Sequence, residues 1–257
     1  MKHSNPIIAV ATANLKLILK KSHLRIAYDK VSNLYSITDG NKTIFFGNLV
    51  RGHRLYQKGI DNRAKEIFYS YLLDKITFIK NDIIIDCGAN YGDLWLCLKE
   101  KINDECYITF EPGTLEHKSI KLNAPGGKHN QLGLSDKAGK ERYYINEEDA
   151  DSSLLKTSNF THYFDIETTT LVHYLNSNNI DRIKLLKLEA EGFEPEILEG
   201  SREVLHKIDY IAVDGGYERG EESQETFSNI SNLLLQSNFE MVSINFKWSR
   251  ALFSRKT

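Results

Sequence analysis

Two acids close short apolar runs, and each is followed by residues that turn the chain. Ile83 to Ile85 runs into Asp86, and the turn Gly88-Ala-Asn-Tyr-Gly92 comes next. Tyr107 to Phe110 runs into Glu111-Pro112, about one βα unit later. In a doubly wound α/β sheet the carboxyl ends of neighbouring strands border a ligand crevice. Glycine there lets the backbone approach a ligand closely. An acid at the second strand tip accepts hydrogen bonds from both hydroxyls of a ribose. The pattern therefore predicts a nucleoside cofactor held among Asp86, Gly88, Asn90, Tyr91, Gly92, Glu111 and Pro112.

The chemistry of that cofactor follows from what is missing. The dinucleotide fingerprint G-x-G-x-x-G aims a helix N-terminus at a pyrophosphate. Here the middle glycine is absent, and no G-x-x-x-x-G-K-[ST] run occurs in the chain. Asp86, placed before the glycine, repels phosphate and suits a cation. S-adenosylmethionine carries a ribose, an ammonium and a sulfonium but no phosphate, and it fits Asp86 and Glu111 better than NAD. An NAD-linked sugar oxidoreductase is the rival reading. A non-catalytic protein keeping the fold is another.

A second charged group closes a later strand. In Leu185-Leu-Lys-Leu-Glu-Ala-Glu-Gly192, alternate side chains of an extended strand share a face. Lys187, Glu189 and Glu191 are thus expected together, at a strand end bordering the same crevice. Three charges on a central strand are costly to bury unless paired or functional. Glu189 and Glu191 are candidates for a general base or for ligands of a divalent metal. Lys187 is their expected partner, and Asp214, at the tip of the next strand, is a further acid. The competing reading has Glu191 and Glu194 merely favouring a helix dipole. His53 and His162 read as packed or surface residues. Arg51, Arg54 and Arg63 read as a solvated helix face rather than an anion site.

Positioning these residues requires a sheet. Core strands are expected over 83–85, 106–110, 130–134, 183–188 and 210–213, with helices near 93–101 and 115–123 between them. Residues 143–145 add a short strand, 146–161 form a polar surface loop, and 168–175 lead into a helix. Residues 240–245 and 251–254 pair as a final hairpin. Alternating β and α predicts a doubly wound, mostly parallel sheet. Ahead of it, residues 24–50 read as a hairpin and 60–73 as a helix. The division is a small α+β extension over 1–75 and a cofactor-binding domain over 76–257.

Composition sets the remaining bounds. The chain has 257 residues, net charge -2 and a pI near 6.5, which gives no nucleic-acid footprint. Cys87, Cys97 and Cys106 show neither metal-ligand nor disulfide spacing, which suits a reduced, cytoplasmic setting. Residues 6–21 are too short to span a bilayer. They read as a helix docked on the domain or on a second subunit, with peripheral contact to the inner membrane surface through Lys16, Lys20 and Lys21 as the competing reading.

Taken in order, Asp86-x-Gly-Ala-Asn-x-Gly92, Phe110-Glu-Pro112, Leu134-Ser-Asp136 with Gly139, Ser152-Ser-Leu154 and Leu186-Lys-Leu-Glu-Ala-Glu-Gly-Phe-Glu194 resemble the FkbM-type methyltransferases. The resemblance runs from about Asp82 to Lys256. It implies a class I, Rossmann-like, seven-stranded fold and S-adenosylmethionine-dependent O-methylation, often of sugar hydroxyls in glycans, glycolipids or related metabolites. It also implies that Ser135 or Asp136 approaches the adenine. Members usually carry Asp where this chain has Glu189. They often carry Leu-Asp-Asp where it has Leu171-Val-His-Tyr174.

Overall fold

The computed structural model describes residues 5–146, 152–156 and 160–256. Helix α1 (Pro6–Leu19) is started by Asn5, whose side chain accepts the Ile7 amide, with proline in the first turn. Strands β1 (Arg25–Asp29), β2 (Leu34–Asp39) and β3 (Lys42–Phe46) form one antiparallel sheet. An asparagine meets each outer strand. The Asn14 amide accepts from Ile26 N at 2.9 Å and donates to Ile26 O at 2.7 Å. The Asn123 amide accepts from Phe45 N at 2.8 Å and donates to Phe45 O at 2.9 Å.

The expected hairpin is therefore a three-stranded sheet, and its last residues already belong to a helix. Asn48 caps α2 (Leu49–Tyr56) by accepting the Arg51 amide. A Cβ on Gly52 would lie 2.1 Å from the Phe46 ring, so glycine lets this short helix lie flat on the sheet. Helix α3 (Ile60–Ser70) follows and packs on the core.

The core alternates as expected: β4 (Ile84–Cys87), α4 (Asp93–Leu98), β5 (Tyr107–Phe110), α5 (Thr114–Asn123) and β6 (Lys128–Asn130). The chain then leaves this sheet. The expected strand over 130–134 is split, because Gly133–Leu134 (β7) pairs instead with a distant segment. Strands β8 (Gly139–Ile145) and β9 (His162–Thr169) complete that second three-stranded sheet. The first four residues of β9 are exposed, so no buried alternation marks it in sequence. Residues 147–151 and 157–159 of the expected surface loop lie outside the described residues.

Then come α6 (Leu171–Ser177), β10 (Ile183–Leu188), α7 (Glu194–Glu199), β11 (Ile208–Asp214), α8 (Phe227–Gln236), β12 (Phe239–Asn245) and β13 (Arg250–Arg255). The main sheet has seven strands in the order β12-β13-β11-β10-β4-β5-β6. The links β11-β10, β10-β4, β4-β5 and β5-β6 are parallel. The terminal hairpin is antiparallel to the strands it meets. This is the doubly wound α/β fold the sequence predicts. The strand order reverses at β4, which places a crevice over the carboxyl ends of β4, β5 and β10. Apolar side chains cover both faces, Ile85, Phe110 and Leu186 on one and Ile84, Tyr107 and Leu185 on the other.

Candidate active site

The floor of the crevice is a chain of alternating charges. Lys187 lies opposite Asp86 in the β10–β4 register. Its Nζ is 3.0 Å from Asp86 Oδ1 and 3.0 Å from Glu189 Oε2, and it donates to Gly88 O at 2.8 Å. Tyr107 donates its hydroxyl to Asp86 Oδ2 at 2.5 Å. Arg250, opposite Asp214 on the antiparallel neighbour, donates to Glu189 Oε1 at 2.6 Å, Asp214 Oδ2 at 2.8 Å and Ser70 Oγ at 2.7 Å. Its guanidinium lies 4.0 Å from the centre of the Tyr71 ring.

Burial opposes charge on both Glu189 and Lys187. Lys187 and Arg250 outweigh that for Glu189, holding its carboxyl far below the usual carboxylate range. Asp86 and Glu189 likewise hold the Lys187 ammonium above its usual range. Burial instead raises Asp86 and Asp214, against the pull of Lys187 and Arg250.

Above the floor lies the turn after β4. Gly88 has φ +70°, and a Cβ there would lie 1.7 Å from Glu189 O, so the two strand tips touch through a position only glycine can fill. Asn90 also adopts a left-handed conformation. Its amide donates to Glu111 Oε2 at 2.9 Å, and Gly113 N donates to Glu111 Oε1 at 2.9 Å. Burial, then the charge of Glu116, pushes the Glu111 carboxyl up to about 7 despite those two donors. At the head of α4, Asp93 accepts from Tyr56 and from Arg63 Nε at 2.8 Å.

Two cavities meet here. One, about 50 Å³, is largely apolar and edged by Phe110, Pro112, Leu132, Leu134, Phe193 and Ile197. The other is a cleft of about 660 Å³ between the crevice, α2 and the second sheet, with Arg51, Arg63, Tyr143, His162 and Glu191 on its walls. Gly88, Glu111, Tyr143, Ser152 and Glu189 border both.

Residues 86–241, more than half of the chain, match the model of the methyltransferase FkbM domain. The chain belongs to the FkbM methyltransferase family. It is similar to Methyltransferase 1 of Beauveria bassiana, 26% identical over 161 residues that cover 53% of this chain and 65% of the relative. It is also similar to Methyltransferase sdnD of Sordaria araneosa, 27% identical over 172 residues, covering 53% of this chain and 66% of that one. The chain spans just under two thirds of the length of these relatives. Among solved structures, methyltransferase FkbM from Methylobacillus flagellatus KT aligns with a TM-score of 0.48 at 16% identity, covering 70% of this chain and 45% of that one.

Within this FkbM-type crevice the residues singled out from sequence separate into two groups. Gly88, Asn90, Glu111, Pro112, Glu189 and Glu191 line the cavities. The others stand elsewhere. Asp86 and Lys187 are 1% and 4% exposed and lie within the floor, where each neutralises the other. Tyr91 turns away into the N-terminal cluster beside Phe46. Gly92, with φ +82°, caps α4. Ser135 donates to Glu141 Oε1 at 2.7 Å, and its backbone with that of Asp136 packs against Gly200, so the cavity takes Leu132, Gly133 and Leu134 instead. Asp214 is tied to Arg250 below the cleft.

The alternation expected for Lys187, Glu189 and Glu191 holds for the first two only. The strand ends at Leu188, and Glu191 sits in a turn with φ +51°. Glu189 has a cation on each oxygen, an arrangement that suits neither a metal ligand nor a base, and no cluster of three or more metal-ligand side chains occurs among the described residues. Arg51 and Arg63, read from sequence as solvated, line the cleft.

Sequence reasoning missed Arg250, Tyr71 and Tyr143. For Arg250 a signal existed: on a hairpin antiparallel to β11, a basic residue facing the acid at the strand tip forms a cross-strand pair.

Proposed function

We propose that the crevice binds S-adenosylmethionine and that the chain transfers its methyl group to an oxygen of a glycan, glycolipid or related small-molecule acceptor. The observation that carries this reading is Glu111. It is a buried carboxylate at the tip of the strand after the switch point, on the wall shared by both cavities. Its oxygens accept backbone amides already and keep lone pairs for the two hydroxyls of a ribose. Asn90 Oδ1, buried without a partner beside it, is an acceptor for one more donor. The apolar cavity next to Glu111 suits a purine ring.

The NAD reading fares worse. The turn into α4 has Asn90 where a pyrophosphate cradle has its middle glycine.

When bound, the cofactor supplies an electrophilic methyl group on a good leaving group. The protein's part is to hold an acceptor oxygen in line and keep water out. Glu189, pinned by Lys187 and Arg250, orients rather than accepts a proton. We assign proton acceptance to Glu191, which lines the cleft. Glu218 stands beside it, its carboxyl pushed up to about 8, first by burial and then by Asp214, Glu194 and Glu189. Tyr143 and Phe164, in edge-to-face contact, offer a sugar an aromatic wall, and Asn48 and Thr161 offer a polar edge.

Calorimetry with S-adenosylmethionine tests the reading. Binding is expected in the wild type, weakened about a hundredfold in Glu111→Gln by loss of charge-assisted hydrogen bonds, with no heat from NAD. Absence of binding in the wild type overturns it, and heat from NAD alone revives the oxidoreductase. Glu191→Gln is expected to keep cofactor affinity and lower turnover of a sugar acceptor by about a hundredfold or more.

A further inference from the structure

Helix α1 is apolar on two sides. One side is docked on the first sheet, where Leu17 is buried, Val10 and Ala13 pack against the same cluster, and Asn14 grips Ile26. The other is open. At 3.6 residues per turn, Ile7, Ile8, Ala11, Leu15, Ile18 and Leu19 share one face. The five larger residues each expose more than half of their surface, up to 75% for Leu19. A contiguous apolar stripe on a water-facing helix marks an interaction surface.

The charge around the stripe selects its partner. Lys16, Lys20 and Lys21 flank it and are exposed. The first 28 residues contain five basic side chains (Lys2, Lys16, Lys20, Lys21, Arg25) and no acid, in a chain whose net charge is -2. An apolar stripe edged by lysines suits an anionic lipid surface, where chains bury Ile and Leu and head groups meet ammonium.

The position of the stripe adds a consequence. Val50 is 66% exposed and borders the large cleft. One turn along α2, the His53 imidazole is pushed down by burial and then by the charges of Lys20 and Lys16. Leu17, Val10 and Ala13 of α1 share one apolar cluster with Leu49, Leu55 and Tyr56 of α2, whose Val50 and Arg51 line the cleft, so α1 and the mouth of the cleft are neighbours.

We propose that α1 docks the chain on an anionic bilayer and turns the cleft toward that surface. The inference stands independently of the methyl-transfer reading. Co-sedimentation of the full chain with phosphatidylcholine vesicles, with and without phosphatidylglycerol, tests it. Binding is expected only to the anionic vesicles and falls as salt rises. The pair Lys16→Glu and Lys20→Glu is expected to weaken partitioning by about tenfold or more. The pair Leu15→Asp and Leu19→Asp is expected to abolish it, with an unchanged melting temperature because both side chains are exposed. No binding to anionic vesicles, or binding indifferent to both pairs, overturns the proposal. So does a wild-type dimer in ultracentrifugation that Leu15→Asp and Leu19→Asp split, because the stripe then belongs to a second copy. S-adenosylmethionine calorimetry on each variant keeps failure here distinct from failure of the cleft reading.

Discussion

The floor and the rim of the crevice are both built on acids, and they treat them in opposite ways. In the floor, Asp86, Glu189 and Asp214 alternate with Lys187 and Arg250, so each buried charge touches its opposite. At the rim, Glu111 is met by the backbone amides of Asn90 and Gly113, and its carboxyl rises to about 7. Glu194, buried behind the turn after β10, is also held by an amide, accepting Ala190 N at 2.7 Å and rising to about 7, with burial as the leading cause. Glu189, with a cation on each oxygen, is held far below the usual carboxylate range, so its charge does not change near neutrality. Acids held by amides keep a protonation state that solvent, pH or a ligand can move.

The largest test of that contrast is Lys187→Met. It leaves Asp86 and Glu189 short of a buried cation and is expected to cost about 3–5 kcal/mol in urea unfolding. A loss below about 1 kcal/mol would mean that the floor is not held by charge compensation.

Next comes pH. Glu111 must be ionised to accept two ribose hydroxyls besides its amides, and its raised value means that this state is reached only above about 7. Affinity for S-adenosylmethionine is thus expected to be lost as pH falls through that value, about tenfold between pH 8 and pH 6. The dependence is expected to vanish in Glu111→Gln. If it persists there, the titrating group is Glu194 or Glu218.

The smallest effect belongs to a surface pair used as a control. Arg182 grips Asp209 through Nη2 at 2.6 Å, yet its side chain is 73% exposed. Arg182→Ala is expected to leave the urea midpoint unchanged within error. A shift comparable to that of Lys187→Met would show that ion-pair geometry matters more here than burial.

Much of the rim was legible in the chain because its signals are local. An apolar run, an acid and a glycine within a few positions mark a strand and its turn, and β4, β5 and β10 end where those signals stop. The floor was only half legible. Lys187 and Glu189 follow from strand alternation, but their partners Asp86 and Arg250 come from strands far away in sequence. Only the sheet order makes them neighbours. Alternation then failed at Glu191 because a left-handed turn residue ends the two-residue period. Tyr91 misled for a similar reason: between the left-handed Asn90 and Gly92 the chain swings its ring into the N-terminal cluster. Strand β9 left no pattern because its first four residues are all exposed, and Tyr163 and Phe164 among them pack on the β8 rings Tyr144 and Tyr143 rather than in a core.

The two asparagines that flank the first sheet have a consequence for association in solution. An outer strand with unpaired N–H and C=O groups is a template for a strand of another molecule. At Ile26 on one margin and Phe45 on the other, a side-chain amide from a helix supplies one donor and one acceptor in the places a neighbouring strand would use. Each margin thus carries one point closed by mimicry of its own backbone. An intruding segment must first displace Asn14 or Asn123 before it can form a ladder there.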